Sequence, residues 1–205
     1  MVGDGTTTQQ NLPVDITSHF SLGVDENVID VAAGTDTSFV ITDDGRVFSW
    51  GSNSFGQLGN NLTSYDSIVT DQTDHFILQS GEMLIDIDVK SRGYMAITDQ
   101  GRLYAWGRNL QGELGTMTVG QKNSATEITQ HFNLDVGEAI SAFAIGQNHG
   151  IVATTFGDVY TFGDNTLGQI GDGTSVTRFG PTPIASQFSF AVDEYVTYID
   201  AYDHN

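Results

Sequence analysis

The sequence predicts an all-β fold: a propeller of four-stranded antiparallel blades, incomplete, with three blades plus two strands of a fourth in an open arc. Three observations carry this. Residues Asp44 to Gly59 return at Gln100 to Gly115 and at Phe156 to Gly171, each step being 56 residues without a gap. Each 56-residue unit divides into four short β-branched or aromatic runs separated by turn signals. No stretch shows a helical period of useful length. A fixed period of this size marks one supersecondary unit stacked on copies of itself.

In the first unit the runs come in order. Leu12 to Phe20 is expected as the first strand, closed by a loop at Leu22 to Asn27. Val28 to Ala33 is the second, apolar on both faces apart from Asp30. Gly34-Thr35-Asp36 turns the chain into a third strand, Ser38 to Thr42, rich in residues that favour strands. Asp43-Asp44-Gly45 is a tight hairpin signal, since glycine accepts positive φ. Arg46 to Trp50 is the fourth strand, with Val47 and Ser49 on one face and Phe48 and Trp50 on the other. His19-Phe20, His75-Phe76, His131-Phe132 and Gln187-Phe188 keep the same period. The units fall at about 4–59, 60–115 and 116–171, with a partial unit at 172–205.

Five positions of the recurring stretch are identical in all three copies. Four are glycines: Gly45, Gly101 and Gly157; Gly51, Gly107 and Gly163; Gly56, Gly112 and Gly168; Gly59, Gly115 and Gly171. The fifth is asparagine: Asn53, Asn109 and Asn165. Residues repeated in every unit are expected to serve the scaffold. The pattern Trp50-Gly51-x-Asn53-x-x-Gly56-Gln57-Leu58-Gly59 resembles the regulator of chromosome condensation repeat family. The second copy carries Glu113 for the glutamine, and the third carries Phe162 for tryptophan and Ile170 for leucine. A histidine typical of the family after the third-strand turn survives only as His149; Thr37 and Gly93 replace it. The resemblance implies a seven-bladed propeller, for which this chain is too short, so a fragment of a longer member is expected. On that reading Tyr195 to Asp200 is a second strand lacking its partners. Val14 and Ile16 at the start, and Val196, Tyr198 and Ile199 at the finish, are expected to expose apolar surface.

Composition narrows the function. The 205 residues carry 7 basic and 26 acidic side chains, a formal charge of −19. Such a field repels phosphate backbones and anionic lipid, which argues against nucleic acid and membrane partners. There is no cysteine, so disulfides, thiolate metal sites and cysteine nucleophiles are excluded. The first residues have neither a basic start nor an apolar run. An acidic, cysteine-free chain favours an extracellular or bacterial cell-surface setting over a cytoplasmic one.

No chemistry is legible. His19, His75 and His131 sit at equivalent positions, and stacked sheets lie about 10 Å apart, too far for one zinc ion with bonds of about 2 Å. Gly3-Asp4-Gly5-Thr6 and Gly171-Asp172-Gly173-Thr174 lack the ligand count of a calcium loop. No glycine-rich turn leads into a helix with the lysine a phosphate loop needs, and no serine sits in a nucleophile elbow. Neither cofactor nor metal is expected.

A variable loop face remains. The turn between second and third strands opens on the same side as the loop leaving the fourth. Asp36, Arg92 and Asn148 take one equivalent position there; Arg108 and Asp164 take another, with Tyr65 and Lys122 in the long connections. Variable loops on a rigid scaffold are where binding usually resides. Arg92 and Arg108 are the first anchors, arginine being favoured at hot spots. The expected function is a non-enzymatic module that binds another protein. Remaining blades of a longer chain, or a second copy meeting the exposed edges, are further partners. Two alternatives stand beside it: a regulator promoting nucleotide exchange on a small GTPase, implied by the family resemblance, and a structural repeat array on a bacterial surface. The unbroken period and the lack of lysine or arginine in Met1 to Asn11 weigh against the first.

Overall fold

The computed structural model describes residues 1–188, 196 and 198–201. It contains three four-stranded antiparallel sheets, each a simple meander. The first comprises β1 (Val28–Ala33), β2 (Thr37–Thr42), β3 (Val47–Gly51) and β4 (Asp66–Asp71). The second comprises β5 (Leu84–Lys90), β6 (Gly93–Thr98), β7 (Leu103–Gly107) and β8 (Lys122–Glu127). The third comprises β9 (Ile140–Ile145), β10 (His149–Thr154), β11 (Val159–Gly163) and β12 (Arg178–Pro183). These are the blades of an incomplete, open propeller.

One strand of each unit sits elsewhere than the sequence suggests. The run expected to start a unit instead ends the sheet before it: Asp66–Asp71 pairs with Val47–Gly51, and Arg178–Pro183 with Val159–Gly163. At the beginning of the chain no preceding strand offers hydrogen bonds. Residues 12–16 accordingly form no strand, and only the 3₁₀ turn Thr17–His19 is regular. His75 and His131 lie on the matching turns Thr73–His75 and Thr129–His131, none of whose residues is buried. At the other end, Tyr195 and Thr197 lie outside the described residues; Val196, Tyr198, Ile199 and Asp200 are described and belong to no strand. Tyr198 is exposed, while Val196 and Ile199 are half-buried. Val14 is exposed, but Ile16 packs against the Phe20, Phe48 and Trp50 cluster.

The core lies between sheets. Strand alternation sends Phe39 and Ile41 of β2 toward the second blade, against Tyr94, Ala96, Tyr104 and Trp106. Val40 faces the other way, with Phe20 and Phe48. In β6, Met95 and Ile97 turn toward Phe143, Ile145 and Phe162 of the third blade. Neighbouring inner strands are also stapled by carboxylates, Asp30 accepting from the Ile87 amide (3.1 Å) and Asp88 from the Ile145 amide (2.8 Å).

The recurring residues have physical reasons for recurring. Gly51, Gly107 and Gly163 have φ of +118°, +96° and +109°. A Cβ there would stand 2.2–2.3 Å from the carbonyl oxygens of Asp36, Arg92 and Asn148. Asn53, Asn109 and Asn165 span the following turn: each Oδ1 accepts the amide of Leu58, Leu114 or Ile170 at 2.9–3.2 Å. Their Nδ2 atoms donate to Asn60, Thr116 and Asp172. The turn then lays its last glycine on the aromatic ring of the next blade, Gly59 on Trp106 and Gly115 on Phe162. Trp106 Nε1 donates to Gln57 O at 2.8 Å; phenylalanine at 162 has no N–H to satisfy.

The middle glycine of the same turn keeps a positive φ in all three copies but meets different surroundings. Gly56 and Gly112 press on the last strand of the following blade. A Cβ at Gly56 would stand 2.4 Å from Asn123 Cα, and one at Gly112 would stand 2.8 Å from the Phe179 ring. At Gly168 a Cβ would meet nothing within 4 Å among the described residues, and at Gly171 it would meet only Ile184, at 3.9 Å. The reason is that the steric contact belongs to the neighbouring sheet, and no fourth sheet follows the third blade among the described residues. What Gly168 keeps is local: a φ of +82°, and amide bonds from Gly168 N to Asn165 O and from Gly171 N to Gly168 O, each 3.1 Å.

A second recurring device is ionic. Glu82, whose side chain is fully buried, meets Arg102 Nη1 at 2.6 Å, and Arg102 Nη2 meets Glu127 at 2.6 Å. Glu26, Arg46 and Asp71 repeat this in the first blade at 3.0 and 3.1 Å. Burial pushes the Glu82 carboxyl up, but the Gln79 amide, Thr98 and Arg102 outweigh it and hold it below its ordinary value. The hydrogen bond from Arg102 lowers Glu127 as well.

These contacts set the expected response to substitution. Gly107→Val is expected to destabilise the chain by about 2 kcal/mol or more, combining backbone strain with a carbonyl clash. Gly137→Asn, at a positive φ with open space around it, is expected to cost less than about 1 kcal/mol. Chemical denaturation compares them. Arg102→Met is expected to cost about 3 kcal/mol by leaving Glu82 buried and unpaired. Because Glu82 and Glu127 titrate lower when folded, their contribution is present above about pH 4.5 and is lost as pH falls through the lowered values. Denaturation midpoints between pH 7 and 3 are therefore expected to fall more steeply for the native chain than for Arg102→Met.

Candidate functional site

The loops at one end of the blades are held by the first of these glycine contacts. With no side chain at Gly51, Gly107 or Gly163, the next amide reaches across the sheet: Ser52 N donates to Asp36 O, Arg108 N to Arg92 O and Asp164 N to Asn148 O, each at 2.8 Å. Two of the variable positions in each blade are thereby fixed side by side.

Arg108 is the centre of a polar group spanning two blades. Its Nη1 donates to Asn148 Oδ1 at 2.9 Å and lies 3.7 Å from Glu113 Oε1. Glu113 is buried and also accepts the Gln111 amide at 2.7 Å. The Arg92 guanidinium lies 4.9 Å from the centre of the Phe55 ring, linking the second blade to the first. Asp164 is occupied by its own turn, accepting from Thr166 N and Oγ1 and from Gln169 Nε2. Lys122 Nζ reaches Thr118 Oγ1 at 3.4 Å. Tyr65 is exposed. Asp36, Tyr65 and Lys122 have no hydrogen bond to the Arg108 group among the described residues.

Beside these loops lies a polar depression of about 430 Å³, lined by residues of all three blades including Thr35, Ser91 and Gln147. Thr35 Oγ1 donates across it to Ser91 O at 3.2 Å. Beneath it Tyr94 is bonded to Thr37, and burial pushes its hydroxyl up to about 12. His149 is buried at the third turn. Asp172 accepts Arg178 at 2.5 Å and the Thr174 amide at 2.9 Å; the Thr174 and Arg178 hydrogen bonds hold its carboxyl far below the usual range.

Sequence reasoning missed Phe55 and Glu113. Both stand inside the recurring stretch, where variation reads as imperfect repetition. The signal for Glu113 was present: it replaces glutamine in the one copy where arginine follows the fourth-strand glycine. In the other copies Gln57 Nε2 donates to Ser52 and Gln169 Nε2 to Asp164, so each partner is chosen to suit its neighbour.

Two models of the regulator of chromosome condensation (RCC1) repeat match the chain, one over residues 28–57 and 140–169, the other over 44–71 and 157–199. The chain belongs to the RCC1-repeat family. The E3 ubiquitin-protein ligase HERC2 of Homo sapiens is 33% identical over 161 residues, covering 78% of this RCC1-repeat chain and 3% of that protein. The ultraviolet-B receptor UVR8 of Arabidopsis thaliana is 28% identical over 172 residues, covering 84% and 36%. The chain thus spans well under half the length of these curated relatives. Among solved structures, Prp20p of Saccharomyces cerevisiae superposes with a TM-score of 0.69 at 19% identity, over 86% of this chain and 42% of that one. That likeness establishes the propeller fold.

These relatives correct one expectation. The acidic, cysteine-free composition favoured an extracellular or bacterial cell-surface setting. The relatives are eukaryotic, and they include ubiquitin-protein ligases and a yeast protein described as binding histones. The extracellular and bacterial-surface readings are withdrawn, and with them the bacterial surface array. Acidity is a general device for solubility and carries no address.

Proposed function

We propose that this RCC1-repeat chain is a non-enzymatic protein-binding module, and that its partner docks on the loop end around Arg92, Arg108 and Asn148. One observation carries the reading. The chain has seven basic residues at a net charge of −19, and Lys90, Arg92, Arg108, Lys122 and Arg178 all stand at this end of the sheets. Arg46 and Arg102 alone stand at the other. Asp36, Asp66, Glu113, Asp164 and Asp172 stand there too, so this end is less negative than the opposite one rather than cationic, and its arginines give a partner's carboxylates local anchors.

The loops suit this role. Arg92 over Phe55 and Arg108 on Asn148 hold two guanidinium groups in place before contact, which reduces the ordering cost of binding. Arginine and aromatic side chains dominate interface energetics. The protein binding described for Prp20p concerns Gsp1p, histones and Kap60 and names no partner here. Asp36, Tyr65, Lys122 and Asp164 form the rim.

A photo-crosslinking residue at Ser91 is expected to capture a protein in eukaryotic cells, whereas the same residue at Gly81, on the opposite end, is expected not to capture it. Arg92→Ala and Arg108→Ala are each expected to reduce capture about tenfold with an unchanged circular dichroism spectrum. Equal capture from both ends, or arginine variants that capture normally, would overturn the loop-face reading. Duplex DNA is expected to give no salt-sensitive binding, checked by fluorescence anisotropy at two ionic strengths.

A further inference from the structure

The three copies differ at one ionic position, on the end of the blades opposite the Arg108 group. In the first two blades a buried glutamate receives a guanidinium seated over an aromatic ring. Arg46 lies 4.5 Å from the Phe48 ring centre and bonds Glu26, Asp71 and the carbonyls of Phe20 and Ser21. Arg102 lies 5.3 Å from the Tyr104 ring and bonds Glu82, Glu127 and Ile77 O. The third blade keeps the receptor and loses the cation. Glu138 occupies the Glu82 position, Tyr160 the Tyr104 position and Asn133 the Ile77 position, but the arginine position holds Asp158 and the second carboxylate position holds Pro183.

The receptor is otherwise intact. Glu138 Oε2 accepts the Asp135 amide at 2.7 Å, as Glu82 Oε2 accepts the Gln79 amide at 2.7 Å. Tyr160 OH donates to Asn133 O at 3.2 Å, as Tyr104 OH does to Ile77 O at 2.7 Å. Glu138 is 9% exposed, and its Oε1 is buried without a hydrogen-bond partner. Oε1 of Glu26 and Glu82 is equally unpartnered, so the difference lies at Oε2, where the guanidinium is missing. No ion pair neutralises Glu138 or Asp158 among the described residues. Burial first, then Glu138 and Asp135, push the Asp158 carboxyl above its ordinary value.

We propose that Glu138, Asp158, Tyr160 and Asn133 O form a binding site for an arginine side chain of a partner protein, seated as Arg46 and Arg102 are seated within this chain. The occupant is a guanidinium because the groups that remain are those a guanidinium already uses twice here: a carboxylate oxygen, a backbone carbonyl and an aromatic face. A hard metal ion is a poor fit. It asks for six or more oxygens, and no group of three or more metal-competent side chains gathers among the described residues. A second copy is a poor source, since this chain carries few arginines and its own charge is −19.

The test is a titration of the isotope-labelled 205-residue chain with a capped glycine-arginine-glycine peptide, followed by NMR. Amide signals of Asp135, Glu138, Asp158 and Tyr160 are expected to shift saturably, and Glu138→Gln is expected to weaken the response about tenfold. Asp158→Arg supplies the missing cation from within: it is expected to raise the unfolding midpoint and to abolish the response. The lysine analogue is expected to bind more weakly. Shifts spread evenly over surface carboxylates, no shift at all, or a response that survives Asp158→Arg would overturn the proposal. So would a lower midpoint for Asp158→Arg, or Mn²⁺ broadening confined to these amides.

Discussion

The structure depends on a close approach of two backbones at the end of each blade. At Gly51, Gly107 and Gly163 the chain passes so near the preceding turn that no side chain fits, and the next amide meets the turn's carbonyl at 2.8 Å. This contact aligns the two middle strands. It also sets the direction in which the chain leaves the sheet, toward the asparagine-held turn whose leucine or isoleucine is fully buried. A positive φ and a carbonyl oxygen 2.2–2.3 Å from where a Cβ would stand act together, so glycine is required on two independent grounds. The variable residues on either side are then delivered to one surface without any constraint on their chemistry.

The copies within the chain act as controls for one another. Where arginine follows the close-approach glycine, as Arg108 follows Gly107, glutamate replaces glutamine five residues on, and the two lie 3.7 Å apart. Where tryptophan becomes phenylalanine, Gly150 replaces Tyr94 on the facing strand, and the Phe162 ring comes to where a Cβ would be. Substitutions of this kind are compensated locally. Asp158 is different in character: it reverses the charge at a position where the second carboxylate is gone, replaced by Pro183, but the buried Glu138 and the ring of Tyr160 remain.

Much of this was legible beforehand. Val28 to Ala33 is a strand where the sequence places it, and the hairpins at Gly45, Gly101 and Gly157 follow from the turn residues alone, because strand and turn signals are local. Sheet membership was not legible. The loop over residues 52–65, which stays within a sheet, and the loop over 72–83, which leaves it, are alike in length and polarity, so connection length could not mark the boundary. The N-terminal run Leu12 to Phe20 has the pattern of a strand and none of its hydrogen-bonding partners, and pattern without a partner makes no strand. Identity between copies likewise hid a difference in surroundings, since Gly112 is held against Phe179 while Gly168, among the described residues, meets only its own turn. At the loop end, Arg92, Arg108 and Asn148 stood out by differing between units. Phe55 and Glu113 were hidden inside the motif that identified the repeat.

The offset between repeating unit and sheet has a consequence for how such a chain can change. Each sheet is a contiguous meander of four strands, and the unit boundary read from the sequence falls inside it, between its third and fourth strands. Excise any 56 consecutive residues from the interior, whatever the starting point, and the periodic register rejoins into whole sheets. Copy number can therefore drift by unequal exchange without a privileged breakpoint.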